Sequence, residues 1–377
     1  MPELFRNYIS DKSVNELAGR IETVFSKFES ELFCRMILPF PEEMSLTDRL
    51  NLVSTTLDTF LPKEFDKATS ILVDSLGPEL DDQSDDPVSK EYESSNGFIV
   101  IALTEFISRN GIEHFDISMN ALKEMTKRFS SEGSIRKFIV QHEEKTLKLY
   151  REWANDGNVH VRRLVSESTR PRLPWAQQLP RFIEDPRPVL ALLELLKNDK
   201  HLYVRRSVAN NLNDMAKDNP HLVIETLRRW KKDSSKEMTW LIKHALRTLE
   251  KQGNPEALEL LGYSHEIDIS VDSFLVKSDT ISIGSELLFS LELSSKKKDT
   301  QKLLIDYVIY HQKANKTLTP KVFKWTKKTI SSRKSLSISK KHLFKEITTR
   351  KYYAGAHEIH IQINGNDVAQ LPFILKM

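Results

Sequence analysis

One cysteine, Cys34, is the only thiol in 377 residues, so no internal disulfide can form and a reducing compartment is expected. Its neighbours follow an apolar helical pattern, which makes it a packed side chain rather than a nucleophile. Glycine is scarce, at 11 residues, and no glycine-rich phosphate loop is present, which excludes the nucleotide-binding classes that need one. Long apolar runs are missing as well. No stretch approaches a membrane span, and the opening MPELFRNYISDKSVNE has early acids and no apolar signal core. A cytoplasmic protein with no membrane partner is expected.

What is present is a charge asymmetry. The net charge of +3 conceals 10 Lys+Arg against 23 Asp+Glu in residues 1–120, 27 against 19 in 121–260, and 19 against 11 in 261–377. A basic C-terminal two-thirds is the footprint of a polyanion binder, although a charge run more often marks a solvated face.

Three regions follow from the patterning. Residues 1–97 read as helical. Val14, Leu17, Ile21, Val24, Phe25, Phe28, Leu32 and Met36 recur every three or four positions and predict one helix over 13–37, with Ser13 and Glu16 as a capping box. Leu46, Leu50, Val53, Leu57 and Phe60 predict a second over 46–61. The acidic stretch 77–97 has almost no apolar residues and reads as a long mobile surface loop.

Residues 98–258 keep the helical period, and a short motif recurs. Ile135-Arg136-Lys137, Val161-Arg162-Arg163, Val204-Arg205-Arg206 and Ile242-Lys243-His244 each follow an expected helix start, and VHVRRLVSES at 159–168 matches LYVRRSVANN at 202–211. A β-branched residue followed by Arg early in the second helix of a pair is HEAT-like. The expectation is an α-solenoid of stacked helix pairs with one concave surface. Residues 263–377 instead alternate apolar and polar positions in several short segments, which predicts an Ig-like β-sandwich lacking the usual disulfide.

Within the repeats, HVRRLVSESTRPRLPW at 160–175 stands out, because five of the 15 prolines fall between positions 171 and 188. Proline fixes φ and removes donors, so the connection is rigid. It carries Arg170, Arg172 and Trp175. Two arginines and a tryptophan suit phosphates and a nucleobase, but Trp175 closing a helix junction is the reading that composition alone favours slightly. On the helix after Val204, the residues Val204, Val208, Leu212 and Met215 form the expected buried stripe. Ser207, Asn210, Asn211 and Asp214 share one flank, and aligning the two Val-Arg-Arg helices brings Glu167 to that flank. Glu132, near an earlier helix start, reads equally as a helix-end charge, and Asp214 as a holder of an Arg between repeats.

Acids on a wall facing DNA repel phosphates unless something electron-deficient must be stabilised. An N3-alkylated base is cationic, and cleaving its glycosidic bond generates an oxocarbenium-like sugar that carboxylates stabilise while positioning water. An aromatic face also favours a cationic base. His357 and His360 occupy odd spacing on an expected strand and face opposite sides, so no metal site is expected there.

The segments KRFSSEGSIRKFI (127–139), WANDGNVHVRRLVSESTRPRLPW (153–175) and YVRRSVANNLNDMAKDNP (203–220) resemble the AlkC branch of the HEAT-like-repeat DNA alkylation-repair glycosylases. KVFKWTKKT (321–329) and ITTRKYYAGAHEIHIQING (347–365) resemble the Ig-like C-terminal domain of that branch. The resemblance implies excision of N3-alkylated bases, 3-methyladenine and 3-methylcytosine, from double-stranded DNA, with no cofactor or metal. It implies that Glu132, Glu167 and Asp214 are the functional acids, that Trp175 sits at the lesion, and that Arg163 lies near the backbone. Arg162, Arg170, Arg172 and Arg206 are further expected DNA contacts. The chain departs from the family pattern at Ser168, where that pattern has glycine. The basic stretches 296–298 and 321–328 are candidate phosphate contacts or a solvated hairpin. A monomer that associates with the nucleoid is expected. The alternatives are a non-catalytic repeat protein that binds bent or damaged DNA and, behind it, a protein scaffold.

Overall fold

The computed structural model describes residues 5–80, 97–232, 235–347 and 350–377. Most of the acidic stretch expected as a mobile loop lies outside the described residues. The chain divides into two compact units, Met1–Asn219 with Asp233–Ala245, and Pro220–Lys232 with Leu246–Met377.

The first unit is helical. Its N-terminal part holds α1 (Asp11–Val24), α2 (Ser30–Ile37), α3 (Leu46–Phe60) and α4 (Phe65–Asp74). The single helix expected over 13–37 is therefore two, and its cap is Ser10 rather than Ser13. Ser13 N donates to Ser10 Oγ at 3.3 Å and Ser10 N to Ser13 Oγ at 2.9 Å, which closes a capping box one turn earlier. The break has a packing cause. Phe28 leaves the helical stripe and packs with Phe33 and Phe60, at ring centroid distances of 5.1 and 5.7 Å. Burying such a ring is worth about 2–3 kcal/mol, more than one added helical turn contributes.

The repeats continue through α5 (Val100–Asn110), α6 (Phe115–Thr126), α7 (Arg136–Gln141), α8 (Glu143–Trp153), α9 (Val159–Ser168), α10 (Pro180–Glu184), α11 (Arg187–Leu196) and α12 (Leu202–Met215). The next helix, α13 (Pro220–Trp230), belongs to the second unit, and α14 (Lys236–Ala245) returns to the first. The helices α6, α9, α12 and α14 form one row, each packed on the next. The expected stripe is buried: Val204, Val208, Leu212 and Met215 are at most 1% exposed.

The recurring arginines divide by position. The first of each pair folds back on the loop before its own helix. Arg162 Nη1 donates to the carbonyls of Asp156 and Gly157 at 2.9 and 3.0 Å, and Arg205 Nη1 to those of Asp199 and Lys200 at 2.6 and 2.9 Å. The fourth copy departs from the pattern. Ile242 lies in the last turn of α14 rather than after its start, because a stripe with a 3.6-residue period buries an apolar side chain at either end of so short a helix.

The second unit contains α13, α15 (Arg247–Lys251), α16 (Pro255–Leu260) and eight strands: β1 (Ile269–Val276), β2 (Thr280–Ser282), β3 (Glu286–Ser295), β4 (Gln301–Gln312), β5 (Leu318–Ile330), β6 (Ser335–Leu343), β7 (Gly355–Ile363) and β8 (Asn366–Lys376). They form a sandwich of a three-stranded sheet, β1-β3-β6, and a five-stranded sheet, β2-β8-β7-β4-β5. Alternate residues point inward as the period-2 pattern requires: Leu287, Phe289, Leu291 and Leu293 from β3 meet Leu303, Ile305, Tyr307 and Ile309 from β4. Asn364, in the left-handed region at φ 52°, clips the β7–β8 turn by donating to the Ser264 and Lys302 carbonyls and accepting from Leu304 N at 2.7 Å.

The basic stretch 321–328 is not a hairpin but part of the edge strand β5. Lys324 pairs with Asp306 at 3.3 Å and with Glu250 at 3.6 Å, and Lys327 pairs with Glu250 at 2.7 Å. An acid buried under the sheet needs these cations, so two of the four lysines there serve the fold. His357 is buried among core aromatics, while His360 lies against Tyr310 on the other side of β7. No described helix is long and apolar enough to cross a membrane. No group of three or more His, Cys, Asp or Glu side chains among the described residues could hold a metal.

Candidate active site

Helix α9 begins where the Asn158 side chain accepts from His160 N and Val161 N, at 2.9 and 3.4 Å. From that start, Arg163 and Glu167 fall one turn apart on one face, and Arg170 follows just past the C-terminal end. Helix α12 places Ser207 and Asp214 two turns apart on the neighbouring face, and the turn before α7 supplies Ser130 and Glu132.

These side chains form one alternating row. Glu132 is ion-paired to Arg163, whose Nη1 also donates to Ser130 Oγ at 3.1 Å. Ser130 Oγ in turn donates to Glu132 Oε2 at 2.6 Å. Arg163 reaches Glu167 at 3.5 Å, and its guanidinium lies over the Tyr203 ring, 5.2 Å from the centroid. Arg170 Nη1 donates to Glu167 Oε1 at 2.6 Å, and its Nε donates to Asp214 Oδ2 at 2.8 Å. Ser207 Oγ holds the second Glu167 oxygen at 2.6 Å, and Lys217 Nζ holds the second Asp214 oxygen at 2.9 Å. Glu132, Glu167 and Asp214 are thus brought together through Arg163 and Arg170, although they come from positions far apart in the chain.

Burial and charge set the state of this row. The side chains of Glu167 and Asp214 are only 6% and 3% exposed. Burial pushes the Glu167 carboxyl up, but Arg163, Arg170 and the Ser207 hydroxyl together outweigh it and hold the group below the ordinary carboxylate range. Burial alone lowers the basicity of Arg163 and Arg170, and their carboxylate partners raise both above the usual arginine value.

Trp175 is not the core residue that composition favoured. It is 87% exposed and stands at φ 59°, a left-handed conformation uncommon for a bulky side chain. The loop that carries it is rigid for a reason beyond proline. The Arg136 side chain is fully buried; its Nε donates to the Gln177 carbonyl at 2.6 Å and its Nη1 to those of Ser168 and Arg170 at 2.7 and 2.8 Å. Both ends of the Trp175 loop are clamped by one guanidinium. Burial lowers its pKa to about 10.

Ser168, where the resembled family has glycine, fits without strain. The following residue, Thr169, has φ −90°, so the helix end needs no left-handed position. The Ser168 hydroxyl bonds the Leu164 carbonyl and the Tyr150 hydroxyl, at 2.7 and 2.8 Å.

The remaining arginines are placed differently. Arg162 grips Asp199 with two hydrogen bonds, of 2.6 and 3.2 Å, and is not brought to the acid row. Arg172 pairs with Asp218 through two bonds of 2.8 Å at the rim of the loop. Arg206, the α12 counterpart of Arg163, is half-buried. Sequence reasoning placed Ser207 on the shared flank but missed Arg136 as the organiser and Ser130 and Tyr203 as partners. The one signal for Arg136 was its membership of the recurring Ile/Val-Arg motif.

A row of HEAT-like helix pairs carrying buried carboxylates, with an Ig-like sandwich in the same chain, defines the class of protein. Residues 119–249 match the family described as "DNA alkylation repair enzyme", and residues 270–377 match "Uncharacterised protein YhaZ, C-terminal Ig-like domain". The chain is 34% identical over 365 residues to the uncharacterized protein YhaZ of Bacillus subtilis, covering 97% of each chain. It is similar in structure to the Pseudomonas fluorescens alkylpurine DNA glycosylase AlkC bound to DNA containing an abasic site analogue, with a TM-score of 0.87, 30% identity and 100% of both chains covered. The chain belongs to the AlkC-type family of DNA alkylation-repair glycosylases.

Proposed function

We propose that this protein is a monofunctional glycosylase that hydrolyses the N-glycosidic bond of N3-alkylated bases in duplex DNA, 3-methyladenine and 3-methylcytosine, leaving an abasic site. The observation that carries the reading is the pairing of an ionised, buried Glu167 with an exposed Trp175 on the loop that directly follows it.

The chemistry needs little machinery. An N3-alkylated base is already cationic, so it leaves with the bonding electron pair and needs no proton from the protein. The deoxyribose then carries the positive charge at C1′. Glu167 and Asp214 supply fixed negative charge to that cation. Water adds to C1′, and its proton passes to a carboxylate. A carboxyl held below its ordinary range suits the role of charge stabiliser rather than general acid. The Trp175 face attracts a cationic base by about 1–2 kcal/mol when water is excluded.

Release of free methylated base from an N3-methylated duplex tests the reading. Wild type is expected to release base, while Glu167→Gln and Asp214→Asn bind the same duplex but lose about two to three orders of magnitude in rate. Tight binding by wild type with no release would make the protein a non-catalytic reader of damaged DNA.

A further inference from the structure

We propose that the Arg170 guanidinium is a resident counter-cation, displaced to a DNA phosphate when a cationic lesion nucleoside enters, so that Arg170 acts as a specificity gate. This rests on the glycosylase reading above.

Four observations carry it. Each acid has one oxygen tied to its surroundings, Glu167 by Ser207 at 2.6 Å and Asp214 by Lys217 at 2.9 Å, and turns the other toward the Arg170 side chain. Arg170 therefore fills the one place that both carboxylates address. Its backbone is fixed, because Arg136 Nη1 holds its carbonyl at 2.8 Å, so exchange involves the side chain alone. That side chain is 11% exposed, against 6% and 3% for its two partners, so it is the outermost member of the trio. Arg163 is held more fully, by Ser130, Glu132, Glu167 and the Tyr203 ring.

The exchange conserves charge. The lesion nucleoside enters with one positive charge on its base, and that charge moves to C1′ as the base leaves with the bonding electron pair, so a single positive charge faces the buried carboxylates throughout. A neutral nucleoside in the same place would leave Arg163 and Lys217 alone to balance Glu132, Glu167 and Asp214, one positive charge short, at a cost that rejects it. The displaced guanidinium is matched in geometry to a phosphate.

The test uses the full chain and two uncleavable duplexes, one with a cationic pyrrolidine abasic-site analogue and one with a neutral tetrahydrofuran analogue. Binding is measured across salt concentration for wild type and Arg170→Gln. A gained phosphate contact steepens the salt slope by about 0.9. The expected result is that Arg170→Gln flattens the slope by about that much with the pyrrolidine duplex and leaves it unchanged with the tetrahydrofuran duplex. An unchanged slope with both shows that Arg170 never leaves, and an equal drop with both shows an ordinary phosphate contact; either overturns the gate. Should Arg170→Gln fail to fold, the double variant Glu167→Gln/Arg170→Gln keeps the charge balance and carries the same comparison. Base release by wild type, measured in parallel, separates failure of the gate from failure of the glycosylase reading. A wild type that binds neither duplex overturns both.

Discussion

The Arg136 guanidinium donates to the Gln177 carbonyl at 2.6 Å, across 41 positions of sequence. Through this bond and those to Ser168 and Arg170, the start of α7, which follows the Glu132 turn, and the loop carrying Trp175 become one rigid piece. Pre-organisation of this kind decides whether a site performs or is merely present.

Arg136→Met removes the donors of three carbonyls and is expected to lower stability by about 3 kcal/mol, read from urea unfolding. Arg136→Lys keeps the charge but cannot span three acceptors, so most of that loss persists. A change below about 1 kcal/mol in either variant would show that proline alone holds the loop.

Trp175→Ala should behave oppositely. With the residue 87% exposed, truncating its side chain leaves the unfolding midpoint within error. Affinity for lesion-bearing duplex falls by about 1–2 kcal/mol, roughly five- to thirtyfold, if the ring stacks on a base. Unchanged affinity in a titration against the same duplex would remove Trp175 from the site.

Glu167 sets an acid limit. Its folded-state pKa lies below the ordinary 4.5, so the ionised group contributes stability above 4.5 that is lost as pH falls through the folded value. Between pH 6 and 8 this contribution is constant. Below about pH 4.5 the wild type is expected to lose stability more steeply than Glu167→Gln, measured by denaturant titration at each pH. Parallel losses in the two proteins would mean that the three donors do not hold the charge.

The sandwich carries its own acid sensitivity. His311, His342 and His357 are at most 9% exposed. Burial, with the Arg350 charge added, lowers His311 to about 3 and His342 to about 4, and burial lowers His357 as well. Each is therefore neutral in the fold, and each binds its proton more readily when unfolded. Stability is full above the ordinary 6.5 and falls as pH drops from there toward 4, by up to about 1.4 kcal/mol per unit for each histidine. His311→Phe should blunt that fall when unfolding is compared at pH 7 and pH 5. An identical decline in the variant would show that His311 does not titrate on unfolding.

Much of the fold was legible because it rests on short-range rules. A 3.6-residue period marked the buried stripe of α12, and a period of two marked the sandwich strands. The expected helix over 13–37 failed where a local rule met a distant partner: Phe28 fits the stripe, yet it packs with Phe60, which the pattern cannot see. The common flank of Glu167 and Asp214 was legible by aligning two repeats, since equivalent helix positions face the same way; Glu132 came only from the resemblance. Their partners were not. In each Val-Arg-Arg copy the two arginines look alike in sequence, but Arg162 and Arg205 turn back onto loop carbonyls, while Arg163 joins the acid row.

By itself, then, the sequence determined the repeat class, the β C-terminal unit, and the shared flank of Glu167 and Asp214, because those follow from periodicity and side-chain type within one or two turns. Tertiary structure alone decided that Trp175 stands outside the core, that Arg136 clamps its loop, and that Arg170 sits between Glu167 and Asp214. Those outcomes depend on which groups from separate repeats come within about 3 Å of each other, and electrostatic pairing at that range is set by packing rather than by spacing along the chain.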